Sequence, residues 1–167
     1  MSALADSAAR AHPNETGGLV AGVHAAGRPW ITNAVEVVSA CGSRPSYYEL
    51  PAGTRAKIVE ELRKFDPRLG YLGDWHSHPA DAGPSSTDIG SIAAISEDSD
   101  CPRPLLVIVR RRTGSYVMDA RQWTGASLRP LQLIAAGGID APPPDPRPSR
   151  KSKKQRKQTA PKGRCVT

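Results

Sequence analysis

The sequence predicts a mixed α/β domain followed by a tail with no core of its own, and three observations carry that reading. Stretches with the two-residue period of strands alternate with two stretches at helical spacing. A chain of 167 residues with 38% hydrophobic content has material for one compact core but hardly for two. Beyond Gly138 the composition turns to proline and then to Lys/Arg, with almost nothing apolar to bury. The expected division is a domain over residues 1–139 and a disordered Pro-rich and basic tail over residues 140–167.

Taken in order, residues Gly17 to His24 read as a short strand after a turn. Trp30 to Ser39 alternates as its antiparallel neighbour, with Gly27-Arg28 at the bend. From Ala52 to Phe65, the apolar residues Ala56, Ile58, Val59, Leu62 and Phe65 recur at helical spacing, and Asp66-Pro67 supplies a stop. That helix is expected to cover one face of the sheet. Leu69 to His78 reads as a strand and Ser86 to Ser96 as a helix with Ile89, Ile92, Ala93 and Ile95 toward the core. Leu105 to Arg110 and Ser115 to Ala120 form two further strands joined at Thr113-Gly114, with Leu128 to Ile134 packed beside them. No internal repeat is present.

The net charge of +7 suggests a nucleic-acid binder until its location is considered. Residues 141–167 hold nine of the 23 Lys/Arg and one of the 16 Asp/Glu, which leaves 14 basic and 15 acidic residues elsewhere. The domain is therefore close to neutral, and basicity belongs to the tail. No basic start followed by a long apolar run occurs in the first thirty residues, and no stretch approaches the roughly 20 apolar residues that cross a bilayer. A soluble, cytoplasmic protein is expected. Cys41, Cys101 and Cys165 are odd in number and widely spaced, which argues against a disulfide framework or a Cys-x-x-Cys metal knuckle and fits a reducing compartment. The final Cys165-Val-Thr is one residue short of a prenylation box.

The chemistry is concentrated around His76-Ser77-His78-Pro79. On a strand, the period of two sends both imidazoles to one face. Asp88 follows ten residues after His78, across a Pro/Gly-containing loop and at the start of the next helix, where the chain can return a carboxylate to the same place. Two neutral imidazoles and one carboxylate suit Zn2+, which in catalytic sites keeps three protein ligands and one open position. Singly, each piece has a plainer reading. A His-x-His pair can be structural, Ser85-x-x-Asp88 ahead of an apolar run is also a helix capping box, and Glu15 could be an ordinary surface acid.

Together the pieces resemble the JAMM (JAB/MPN+) zinc metallopeptidase pattern, in which an upstream glutamate precedes His-Ser/Thr-His-Pro, a loop and Ser-x-x-Asp. Here these are Asn14-Glu15-Thr16-Gly17-Gly18, Gly73-Asp74-Trp75-His76-Ser77-His78-Pro79, and Ser85-Ser86-Thr87-Asp88. The wording is most similar to the short prokaryotic branch, and the resemblance covers about residues 10–135. One departure is the loop between His78 and Ser85, which has six residues against the family's usual seven.

The resemblance implies a three-layer fold of the cytidine-deaminase-like type, with a mixed, curved sheet flanked by helices. It also implies one Zn2+ held by His76, His78 and Asp88, with Glu15 as general base and then acid and Ser85 as a hydroxyl donor to the oxyanion. The implied activity is hydrolysis of isopeptide or peptide bonds at the C-terminus of ubiquitin-like proteins, in conjugation or antiphage-defence systems, or else processing of sulfur-carrier protein adducts.

Deaminase chemistry itself is excluded, because His-x-Glu with Pro-Cys-x-x-Cys is absent. A binding role for the basic tail on nucleic acid is the rival from another class. Trp75, on the opposite face from the histidines, is expected in the core, and His12 and His24 are expected to be structural or exposed. Cys41 and Cys101 are expected to be ordinary thiols, and Arg110-Arg111-Arg112 a strand end and turn.

Overall fold

The computed structural model describes residues 2–135 apart from Cys41, Ser43, Ser46, Asp98 and Ser99. The expected tail, Cys41 and Cys165 lie outside the described residues. The elements are α1 (Ser2–Ala11), β1 (Gly17–Ala25), β2 (Arg28–Val37), α2 (Thr54–Arg63), β3 (Gly70–His78), α3 (Ser86–Ser96), β4 (Leu105–Arg112), β5 (Ser115–Trp123) and β6 (Leu128–Leu131). The six strands lie in one unclosed, curved sheet in the order β2-β1-β3-β4-β5-β6. Only β3 and β4 run parallel, and the crossover between them contains α3.

The β1–β2 and β4–β5 hairpins each turn at two residues of positive φ, Ala26 (50°) with Gly27 (73°) and Thr113 (47°) with Gly114 (84°). This is the primed-turn conformation whose twist matches the flanking strands. The first bend thus sits one residue earlier than Gly27-Arg28, because the strand resumes at Arg28.

Strand periodicity divides the sheet into two faces. On one, Val20, Leu72, Trp75, Val107 and Val109 are buried beneath Leu4 and Ala8 of α1. On the other, Leu106, Ile108 and Trp123 pack with Ile92 of α3. His76 lies beside Ile108 in the parallel register and therefore shares this second face, as does Asp74, which Arg55 of α2 reaches at 3.0 Å. One helix below the sheet and two above it make the three layers.

Three details differ from expectation. Helix α1 was not foreseen, although Leu4 and Ala8 at helical spacing in an alanine-rich run are its signature. Helix α2 ends at Arg63 with Lys64 as its C-cap, so Phe65 falls past the helix and is 88% exposed, and Val59 is the residue α2 buries. In α3, Ile92 is buried but Ile89 is exposed. Asp88 faces the histidines, and the next helical position lies about 100° further round. Among the described residues, no helix is long and apolar enough to cross a membrane.

Candidate metal centre

The centre is assembled at the C-terminal end of β3. Alternation places His76 and His78 on the α3 face, both buried, with their Nε2 atoms 3.0 Å apart. The Nδ1 of His78 lies 3.0 Å from the carbonyl of Ala82. A donor bond there fixes the tautomer and leaves the Nε2 lone pair for a ligand role. Burial also pushes the His78 pKa below the ordinary range, which keeps the ring neutral.

Asp88 arrives by way of a helix cap. Ser85, in extended backbone conformation, accepts the Asp88 N–H on its Oγ at 3.2 Å, and Asp88 Oδ2 accepts the Ser85 N–H at 2.6 Å. This reciprocal pair is the capping box anticipated from sequence, and it aims the carboxylate rather than consuming it. Oδ1 lies 3.1 Å from His76 Nε2, and Oδ2 lies 3.6 Å from His78 Nε2. Burial opposes ionisation of Asp88, but His76 and the Ser85 hydrogen bonds outweigh it and hold the pKa at about 2. The six-residue loop therefore still delivers Asp88. It is tied down by the His78–Ala82 contact and by an ion pair from Arg110 to Asp81, with Arg110 beside His78 in the sheet register.

These donors fit zinc. Bond lengths of 2.0–2.1 Å in a tetrahedron put ligand atoms about 3.3 Å apart. The two Nε2 atoms are 3.0 Å apart, Asp88 offers Oδ1 to His76 at 3.1 Å and Oδ2 to His78 at 3.6 Å, and with one ligand atom taken from each residue all three lie within 4.8 Å of one another. Among the described residues, His76, His78 and Asp88 are the one group placed to hold a metal.

Glu15 lies in the loop between α1 and β1, with a side chain only 9% exposed and Oε1 4.0 Å from His78 Nε2. It faces the donors without being one of them. Burial, reinforced by Asp88 and opposed by His76, raises its pKa to about 7. Ser85 stands next to the donor set through its pairing with Asp88. Its cap bond uses an oxygen lone pair and leaves the hydroxyl hydrogen to donate.

The residues that sequence reasoning passed over are those that hold the site. A Cβ on Gly17 would come within 2.8 Å of both His76 Cβ and Tyr48 Cδ1, so the first glycine of Glu-Thr-Gly-Gly lets Tyr48 and the histidine strand close on β1. Nothing in the sequence marked Tyr48. Trp75 is fully buried on the far face, as expected, and donates its indole N–H to the Val35 carbonyl at 3.1 Å. His12 lies 3.4 Å from Arg111, His24 is exposed, and Cys101 is buried with its Sγ 3.9 Å from the Leu72 carbonyl. None of the three belongs to the donor group.

Residues 1–124 match the family model described as prokaryotic homologs of the JAB domain. A curated relative, the CD-NTase/cGAS isopeptidase of Enterobacter hormaechei subsp. hoffmannii (strain UCI 50), is 28% identical over 120 residues. The alignment covers 66% of this chain and 64% of the relative, so it spans somewhat under two thirds of that protein. The solution structure of a protein from Desulfitobacterium hafniense superposes with a TM-score of 0.63 at 20% identity, over 80% of this chain and 86% of the other. Another, from Salinibacter ruber (strain DSM 13855), gives 0.54 at 19% identity, over 84% and 90%. At such identities the two structures bear on the fold alone.

Proposed function

The chain belongs to the family of prokaryotic JAB-domain homologs, and from that premise we propose that it is a zinc-dependent peptidase. Its bonds are isopeptide or peptide bonds at the C-terminus of ubiquitin-like proteins. The observation that carries this reading is the convergence of His76, His78 and Asp88, with the buried Glu15 carboxylate 4.0 Å beyond them. The name of the isopeptidase relative supports a protein conjugate as substrate.

Zn2+, when bound, supplies a Lewis acid and lowers the pKa of water toward about 7. His76, His78 and Asp88 would hold the ion, and the Ala82 carbonyl orients the His78 ring. Glu15, which burial raises to a pKa of about 7 in the metal-free protein and which a cation beside it would return toward the carboxylate, takes a proton from the attacking water and passes it to the leaving amine. Ser85 donates its hydroxyl to the developing oxyanion. The substrate tail, extended and glycine-rich, binds by strand addition beside the site. The proposed setting is a cytoplasmic ubiquitin-like conjugation or antiphage-defence system. Processing of sulfur-carrier adducts is the alternative use of the same chemistry.

The test is cleavage of ubiquitin-like fusions by wild type, chelator-treated protein and Glu15→Ala. Activity lost on chelation and in Glu15→Ala, with zinc still bound by the variant, is expected. Cleavage that persists in Glu15→Ala would sink the mechanism.

A further inference from the structure

Glu15 belongs to no helix or strand, yet its carboxylate must stand at a fixed distance from the donor set. Its own N–H is held by the Arg44 carbonyl at 2.7 Å. The next residue, Thr16, is held far more tightly. The regular β1–β3 ladder begins at Gly17 opposite His76, and one step beyond it Thr16 and Ser77 extend the pairing. Ser77 donates its N–H to the Thr16 carbonyl at 2.7 Å, and its buried hydroxyl oxygen accepts the Thr16 N–H at 3.0 Å. A side chain thus completes a rung that the backbone alone does not make.

The Thr16 hydroxyl is committed too. It donates to Glu36 Oε1 at 2.8 Å, while Glu36 Oε2 accepts from Ser7 at 2.8 Å and from Arg10 at 3.3 Å. Arg10 also donates to Ser7 at 2.9 Å. A continuous set of bonds therefore runs from α1, through Glu36 on β2, to Thr16 and then to the residue between the two histidines.

We propose that Ser77, Thr16 and Glu36 are positioning residues for Glu15, and that through them helix α1 is part of the catalytic apparatus. This rests on the proposed role of Glu15. Ser77 sets the height of the Glu15 loop against the histidine strand, and Glu36 prevents Thr16 from rotating away from it. A catalytic group displaced by about 1 Å can lose on the order of a hundredfold in rate, so such a brace has a measurable effect.

The test uses the full zinc-loaded chain, with ubiquitin carrying a C-terminal aminocoumarin as the probe. Thr16→Val keeps the side-chain shape and removes the bond to Glu36, Ser77→Ala removes the acceptor for the Thr16 amide, and Ser77→Thr keeps that acceptor. Thr16→Val and Ser77→Ala should lower kcat by about tenfold to a hundredfold with KM and bound zinc unchanged, and Ser77→Thr should recover most of the loss. In a Glu15→Gln background, Thr16→Val should change the residual rate less than about twofold, because nothing remains to be positioned. Without any substrate or metal, hydrogen exchange at the Thr16 amide should speed up by about tenfold or more in Ser77→Ala.

Unchanged Thr16 exchange, unchanged kcat in Thr16→Val, loss of zinc, or the same loss in the Glu15→Gln background would each overturn the proposal. Full activity in Glu15→Gln removes both this proposal and the role of Glu15. An inactive Glu15→Gln beside a fully active Thr16→Val removes this one alone.

Discussion

Strand β3 carries polar side chains on both faces, and beyond Asp74, which Arg55 and Tyr71 pair on the α3 side, it treats them in opposite ways. On the α1 side, Trp75 and Ser77 find partners within the protein, the Val35 carbonyl and the Thr16 backbone. On the α3 side, the Nε2 atoms of His76 and His78 face each other at 3.0 Å, with Asp88 oxygens at 3.1 and 3.6 Å. Converging acceptors in a buried place are costly unless a proton or a cation sits between them. The satisfied face thus gives rigidity to a strand whose other face is left open for a ligand.

The largest expected effect breaks the open face while leaving the donors in place. Glu15→Gln should lower kcat by about 10²–10⁴-fold, with zinc content by elemental analysis unchanged. Loss of zinc in that variant would make Glu15 a ligand and place it inside the donor set. On the satisfied face, Trp75→Ala removes a fully buried ring and should cost about 3–5 kcal/mol of stability in denaturant titration. The molecules that remain folded should still bind zinc, because the two faces share a backbone but no side-chain contact between Trp75 and the donors is needed to orient the histidines. Zinc lost well before unfolding would show that the faces are coupled.

The same contrast explains what could be read from sequence. Periodicity located β1, β3, β4 and the whole of α3, because a period of two or 3.6 is a local property. The convergence of His76, His78 and Asp88 was legible because two of the donors share a strand face and the third opens a helix. The holding residues were not legible. Glu36, Thr16 and Ser77 meet across three elements, and such tertiary hydrogen bonds leave no period in the chain. Phe65 and Ile89 were misplaced for a related reason. Helical spacing gives a face but does not say where the helix stops or which turn lies over the site.

A smaller effect, in stability, follows from the open face when no metal is bound. Glu15 has a pKa raised from 4.5 to about 7, so the folded state prefers its protonated form. Its contribution is favourable below the unfolded value and is lost as pH rises from 4.5 through about 7. Asp88 works in the opposite sense: its pKa is lowered from 3.8 to about 2, so its contribution is present above 3.8 and is lost as pH falls toward 2. Thermal melts of chelated protein should therefore show wild type losing stability relative to Glu15→Gln between pH 4.5 and 7. Saturating zinc should remove most of that difference, since a cation beside Glu15 favours the carboxylate. Parallel profiles for the two chelated proteins would mean that Glu15 is not the group strained by the open face.

The smallest effect belongs to the loop that closes the open face. Asp81 pairs with Arg110 and lies 3.8 Å from Arg112, yet its side chain is 45% exposed. Pairs of this kind contribute about 0–1 kcal/mol, because water screens them and both side chains lose freedom on pairing. The contact to the histidine is made by the neighbouring Ala82 carbonyl, which Asp81→Asn leaves in place. Asp81→Asn should therefore cost less than about 1 kcal/mol in denaturant titration and leave zinc affinity within a few-fold of wild type. Deletion of Gly83 from the same loop should instead weaken zinc binding by at least about tenfold, because the chain must then give up either the Ala82 contact or the reach of Asp88. If Asp81→Asn weakened zinc as much as the deletion, the ion pair rather than the loop backbone would be what holds His78, and the open face would depend on a surface charge.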